Sequence, residues 1–181
     1  MDVYSEEFIR FWSALNKNNV EYLMVGGVAT NLNGYQRTTD DINILIRDSP
    51  QNRKNIRFAF KDYSNVDYFM FETIQFIPGW TNFNLNNGIR LGIMTNMKGL
   101  ESFGFDELLS AAFRAEIEGI IVPFLHINHL IQNKKAVNRP KDQVDVIYLE
   151  RIKKFWKNNR ARIINLISNL YFYSFQYRFI I

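Results

Sequence analysis

Residues 22–46 leave this chain few folds to choose from. Four apolar residues, Tyr22-Leu23-Met24-Val25, run straight into Gly26-Gly27. A second run, Asp41-Ile42-Asn43-Ile44-Leu45-Ile46, carries isoleucine at every other position. A period of two belongs to a strand with one apolar face, and it puts Asp41 and Asn43 together on the other. Between the two strands, residues 28–32 have helical character, and Asn33-Gly34 stops them. Strand, Gly-Gly, helix and strand in that order dictate an α/β fold. Two glycines between a strand and a helix let the backbone approach a neighbour closely. They also leave free amides at a helix start, where phosphate binds readily.

The flanks fit the same class. Ser5 is an N-cap for a first helix, with Glu6 and Glu7 where the helix dipole favours anions. Phe8, Phe11, Trp12 and Leu15 give that helix one apolar face, and it frays at Asn18-Asn19. A further helix is expected over 53–60. Residues 83–85 and 89–93 flank Asn87-Gly88, the pair a type I′ hairpin turn prefers. Residues 105–113 read as a helix, 120–124 as a strand and 126–137 as a helix. Arg139-Pro140 breaks that helix, and Pro140 is placed to open the next. The buried stripe of this next helix is expected to be Val144, Ile147, Tyr148, Ile152 and Phe155. The result is a small mixed sheet with flanking helices on one face and a helical C-terminal part: a domain over 1–125, with 126–181 packed on it.

Composition narrows the chemistry. The 181 residues include no Cys, which excludes disulfides, thiolate metal sites and thiol catalysis. A net charge of +4 permits a polyphosphate or nucleic-acid partner without requiring one. The acidic start, Met1-Asp2-Val3-Tyr4-Ser5-Glu6-Glu7, has no apolar run behind it and is no signal peptide, so a cytoplasmic location is expected. The apolar end, 163–181, is interrupted by Asn165, Asn169, Gln176 and Arg178. It reads as a last helix that is buried or forms a homodimer through its aromatic residues, and no membrane contact is expected. His126 and His129 have no third ligand at sensible spacing and read as a helix-start pair. Trp80, beside Pro78-Gly79, reads as a turn anchor.

The run Val25-Gly26-Gly27 through Arg37-Thr38-Thr39-Asp40-Asp41-Ile42-Asn43 resembles the nucleotidyltransferases of the DNA-polymerase-β superfamily. In that family Gly-Gly opens a helix, Arg-x-Thr follows, and Asp-x-Asp lies on the next strand. Arg90-Leu91-Gly92-Ile93-Met94-Thr95 occupies the place of the strand that carries a third carboxylate. The run from Lys134 through Arg139-Pro140-Lys141-Asp142 to Asp145 is similar to an element of stand-alone bacterial members, the abortive-infection toxin type among them. The resemblance spans residues 5–155. It implies a nucleotidyltransferase fold and transfer of NMP from an NTP to a hydroxyl of an RNA, protein or small-molecule acceptor. It also implies two Mg²⁺ ions clamped by three carboxylates.

On that resemblance Asp41, Asn43 and Gly92 stand at the catalytic positions, with Asp41 as the metal ligand. Gly26 and Gly27, with Arg37 and Thr38 close by, would cradle the phosphates. Lys134 would bind the triphosphate, and Asp142 and Asp145 would organise that lysine. The chain departs from the pattern where it matters most, because Asn43 and Gly92 replace two carboxylates. Asn offers Mg²⁺ one neutral oxygen and Gly offers none. Asp40 points to the wrong face to substitute, and nothing in the spacing of Glu72, Glu101 or Asp106 recruits them. Weak or lost Mg²⁺ binding follows, with NTP kept as substrate or ligand. The alternative is a non-catalytic interaction module, such as half of a toxin–antitoxin pair.

Overall fold

The structure, a computed structural model, describes residues 5–73, 76, 81–84, 90–170 and 179–180, with side chains up to residue 159. Helix α1 (Glu6–Lys17) begins where the Ser5 carbonyl accepts from the amides of Phe8 and Ile9. It ends at Asn18-Asn19, where Asn19 takes a left-handed φ of 52°. Its apolar face, Phe8, Phe11, Trp12 and Leu15, is fully buried. Burying side chains of this size contributes roughly 1.5–3 kcal/mol each. Strand β1 (Tyr22–Val25) passes directly into α2 (Gly26–Leu32), and β2 (Asp41–Ile46) follows. Helix α3 (Pro50–Ser64) starts with Pro at its first turn and with the Ser49 hydroxyl accepting from the Asn52 amide at 3.2 Å. The buried Asn52 side chain donates to the carbonyls of Glu21 and Arg47 and accepts from the Glu21 amide. It thereby ties the start of β1 to the end of β2.

After a 3₁₀ turn (Phe69–Glu72) come β3 (Thr81–Asn84), β4 (Arg90–Met94), α4 (Phe105–Ser110), β5 (Phe113–Ile117) and β6 (Ile120–Phe124). Helices α5 (Ile127–Val137) and α6 (Pro140–Leu170) and the short β7 (Phe179–Ile180) complete the chain. The strands form one mixed sheet in the order β3-β4-β2-β1-β6-β5-β7. β2 runs antiparallel to β1 and parallel to β4, and β1 runs parallel to β6. No described helix is long and apolar enough to cross a membrane.

Four expectations change. The helix expected over 105–113 stops at Ser110, and Phe113 opens a hairpin. Its two-residue turn is Glu118-Gly119, with φ of 49° and 77°. Positive φ at both positions suits the twist of the flanking strands, and Glu is a rare occupant, so the signal was weak. The helix expected over 163–181 does not start anew: 163–170 are the end of α6, and the chain is back in the sheet at Phe179–Ile180, paired with β5. Burial is two-sided: β1 is buried at every position and β2 from Ile42 onward, so both faces of the central sheet are covered.

The fourth change concerns α6. Val144, Ile147, Tyr148 and Phe155 lie outward, and the buried positions are Asp142, Asp145 and Leu149, with Ile152 partly covered. Two stripes at helical spacing compete here, and the one with charge partners on neighbouring elements turns inward. The turn at Asn87-Gly88, the Trp80 segment and the aromatic run 171–178 lie outside the described residues.

Candidate functional site

The sheet register brings the strand residues together. Val25 on β1, Asn43 on β2 and Gly92 on β4 stand side by side across three neighbouring strands, and Asn82 on β3 continues the row. Asp41 opens β2, two residues before Asn43. Immediately after Val25 comes Gly26, with φ of 62°. A Cβ there would lie 2.9 Å from Asn43 Nδ2 and 3.3 Å from Asn43 Cβ, so conformation and space both demand glycine. Asn43 is 5% exposed, and its buried Oδ1 has no hydrogen-bond partner. An unpaired buried carbonyl oxygen is costly, which marks this position as one that structure alone does not account for.

Gly27 has a different reason. A Cβ there would collide with the Thr39 side chain, whose Cβ would be 2.7 Å away, and would stand 3.4 Å from Arg37 Nη1. The close approach that this glycine permits is therefore to the chain's own 37–39 segment. Thr39 is buried, and its hydroxyl donates to Asp41 Oδ1 at 3.1 Å. Thr39, which no motif position marks, and not Thr38 is the residue that links the glycine turn to Asp41.

The helix side is a network of charges. Arg37 donates through Nε and Nη2 to the two carboxylate oxygens of Asp145, at 2.6 and 2.9 Å, and through Nη1 to the Thr38 carbonyl at 2.9 Å. The Asn31 side chain holds the Arg37 backbone from both ends, donating to its carbonyl and accepting from its amide. Lys134 Nζ lies 2.6 Å from Asp145 Oδ2 and 3.3 Å from Asp142 Oδ1. Arg139 donates to Asp142 from Nε at 2.6 Å, from Nη2 at 3.2 Å and from its own amide at 3.2 Å. Asp142 and Asp145 are wholly buried, and Lys134 is 3% exposed.

Helix geometry explains why these groups meet. Asp142 and Asp145 are three apart at the start of α6, and Lys134 lies in the last turn of α5, across the Asn138–Arg139 corner. Asn138 makes that corner with a left-handed φ of 59°. Burial pushes the Asp142 carboxyl up, but its hydrogen bond from Arg139 and the charges of Lys134 and Arg139 outweigh this and hold it below the usual carboxylate range. Three cations face two carboxylates here, and Asp41 acts on Arg139 from the strand side.

The two sides differ in what they could bind. A two-Mg²⁺ clamp needs several anionic oxygens in octahedral geometry. The strand side supplies the carboxylate of Asp41, the neutral oxygen of Asn43 and nothing at Gly92. Among the described residues no three His, Cys, Asp or Glu side chains are grouped to hold a metal. The residues present do not fit the pair of ions. Glu72 is bound by Arg57, Asp106 by Arg47, and Glu101 accepts from the Gly99 amide. His126 caps α5 by accepting from the Asn128 amide at 3.1 Å, and the His129 ring packs against Phe103.

No family model matches the sequence, and no curated protein matches it. Solved structures do resemble the fold. An antigenic nucleotidyltransferase-like protein from Paracoccidioides brasiliensis aligns over 91% of this chain and 89% of its own, at 16% identity and a TM-score of 0.49. A Thermotoga maritima protein assigned as a nucleotidyltransferase aligns over 87% and 89%, at 15% identity and 0.48. The antibiotic-resistance factor ANT(2'')-Ia aligns over 92% and 96%, at 15% identity and 0.46. At these identities and scores the likeness bears on neither family nor activity.

Proposed function

We propose that this chain is a nucleotidyltransferase-type protein that binds a nucleoside triphosphate and has lost most of its two-metal transfer chemistry. The observation that carries the reading is the unpaired, buried Oδ1 of Asn43. It stands beside Gly92 and against the Gly26 turn, where the family resemblance calls for carboxylates. The unit would be residues 1–125 with 126–181 packed on it. The stand-alone bacterial type, abortive-infection toxins included, is favoured by the Lys134-to-Asp145 element alone. The aminoglycoside derivative bound by ANT(2'')-Ia, an adenylyl-tobramycin, belongs to that enzyme. For this chain the acceptor class stays open among RNA, protein and small-molecule hydroxyls.

The residues divide the work. Arg37 and Arg139, the more exposed cations of the network, are the groups that would meet phosphate oxygens. Lys134 is enclosed by Asp142 and Asp145, so its role is to hold their charges in place and keep α5 and α6 in register. Bound Mg²⁺ would supply charge neutralisation on the triphosphate, and only Asp41 offers it an anionic ligand.

Transfer of a labelled NMP in Mg²⁺ tests the reading. The chain as it stands should transfer slowly, and the pair Asn43→Asp with Gly92→Asp should transfer faster. Gly92 lies in regular strand, paired with Asn43 and Asn82, so an aspartate meets no backbone strain there. Equal rates would show that the site is complete without those carboxylates and would defeat the proposal.

A further inference from the structure

The outward face of α6 is apolar and cationic at once. At 100° per residue, Lys141, Val144, Ile147, Arg151, Lys154 and Phe155 fall within an arc of about 140° of helix surface. Val144 is 45% exposed, Ile147 50% and Phe155 60%, and the three basic residues are exposed as well. Tyr148, on the same arc, is 42% exposed. Apolar side chains at three- and four-residue spacing are what a helix presents to another helix. No carboxylate shares the arc. The one exposed acid on the described side chains of α6, Glu150, lies outside the arc and is paired with Lys135 at 2.6 Å.

We propose that this face is a docking surface for an amphipathic helix with acidic flanks, carried by a partner protein. Charge decides the occupant. A second copy of this chain would bring the same Lys141, Arg151 and Lys154 against themselves, and like charges across an interface repel. Single-stranded nucleic acid would need ring faces for its bases to stack on. Tyr148 offers neither face: Tyr35 stacks on one side at 4.2 Å and 7°, and the Arg151 guanidinium lies 5.6 Å from the ring centroid. Val144 and Ile147 are aliphatic and stack nothing, which leaves the exposed Phe155 as a single platform where a strand stacks successive bases. Leucines at helical spacing would cover these two and Phe155, and flanking glutamates would meet the three cations.

The position gives the contact a consequence. Tyr35, stacked on Tyr148, is two residues before Arg37, which grips Asp145 about one turn earlier on the same helix. A helix laid on this face would therefore bear on the segment that carries Arg37. The surface is independent of the nucleotide reading, since none of its residues belongs to the Asp41–Asn43–Gly92 row.

The test is fluorescence anisotropy of the full chain with two labelled synthetic helices. Both carry leucine at heptad spacing; one is flanked by glutamate and the other by lysine. The glutamate helix should bind, more weakly as salt rises. Ile147→Asp and Lys154→Glu should each weaken binding by about tenfold or more, with the melting temperature unchanged because both side chains are exposed. The lysine helix should not bind. Failure of the glutamate helix to bind, or equal binding of both helices, overturns the proposal. So does a dimer seen by light scattering that Ile147→Asp dissolves, which would make the occupant a second copy. Binding of an oligo-uridine strand that Lys154→Glu abolishes, without binding of the glutamate helix, would make it nucleic acid and equally overturn it.

Discussion

The strand side and the helix side of the candidate site were built under different pressures. On the helix side, every charge has a partner: Arg37 and Lys134 meet on Asp145, and Lys134 and Arg139 meet on Asp142. On the strand side, Asp41 has one hydroxyl donor, Asn43 keeps an orphaned oxygen and Gly92 has no side chain to offer. Buried charges are tied to stability, because removing one partner strands the other. Metal-binding carboxylates cost stability when no metal is present, because like charges repel at close range. Drift can therefore erase the strand side and spare the helix side. On the proposed reading, the fold would persist while the metal ligands are lost.

The largest effect should come from breaking the helix side. Asp145→Ala leaves Arg37 and the buried Lys134 without their shared carboxylate and should cost about 3–5 kcal/mol in urea unfolding. A loss under about 1 kcal/mol, the range of a surface pair, would place the network in solvent and end the contrast. The link between the two sides should matter less. Gly27→Ala puts a methyl group into the Thr39 side chain and should cost about 1–3 kcal/mol by the same measurement. An unchanged stability would mean that the 37–39 segment moves aside freely.

Acid should separate the sides by sign. Asp142 is held below its unfolded value, so its stabilisation is complete above an unfolded pKa of about 4 and is lost as pH falls through the folded one. Asn43→Asp should behave oppositely. A carboxylate in that buried place, near Asp41, has its pKa raised. The variant's penalty should be present at neutral pH and vanish below about pH 4. Thermal melts of both proteins from pH 3 to pH 7 check this, and parallel curves would contradict it.

Away from the site, the effects of histidine titration and of exposed positions should be smaller. Burial lowers the pKa of His126 and of His129; for His126 the neighbouring His129 and Lys153 add to this. The unfolded chain then holds more protons below about pH 6.5, so stability should fall as pH drops through that region. Replacing both histidines with glutamine should flatten that slope in a melt series. On α6, Ile147→Ala should stay within about 0.5 kcal/mol, and Leu149→Ala, on the buried face, should cost about 2–5 kcal/mol. The reverse order would restore the apolar stripe as the inward face.

The sequence was most legible where local patterns and backbone chemistry agreed. Strands Tyr22–Val25 and Asp41–Ile46, the Gly-Gly turn between them and the Pro140 helix start all stand where their residues put them, and Asn43 and Gly92 meet on neighbouring strands. Legibility failed where long-range partners decided. The inward face of α6 is set by Lys134, Arg37 and Arg139, and no count of apolar positions along the helix reveals a preference for burying two aspartates. Arg139 stood in plain view three residues before Asp142, a spacing that suits an ion pair, yet its role depends on the corner at Asn138. Thr39 is illegible in the sequence because its contact is with a glycine twelve residues away, which has no side chain to suggest a pair.

The central claim is that a nucleotide is bound without help from the metal side. Calorimetric titration with ATP, once in EDTA and once in Mg²⁺, tests it most directly. The account predicts binding in both, with affinities within about threefold of each other, because Asp41 alone adds little to an ion already carried by the triphosphate. Binding that depends on Mg²⁺ by about tenfold or more, or no binding in either, would contradict it.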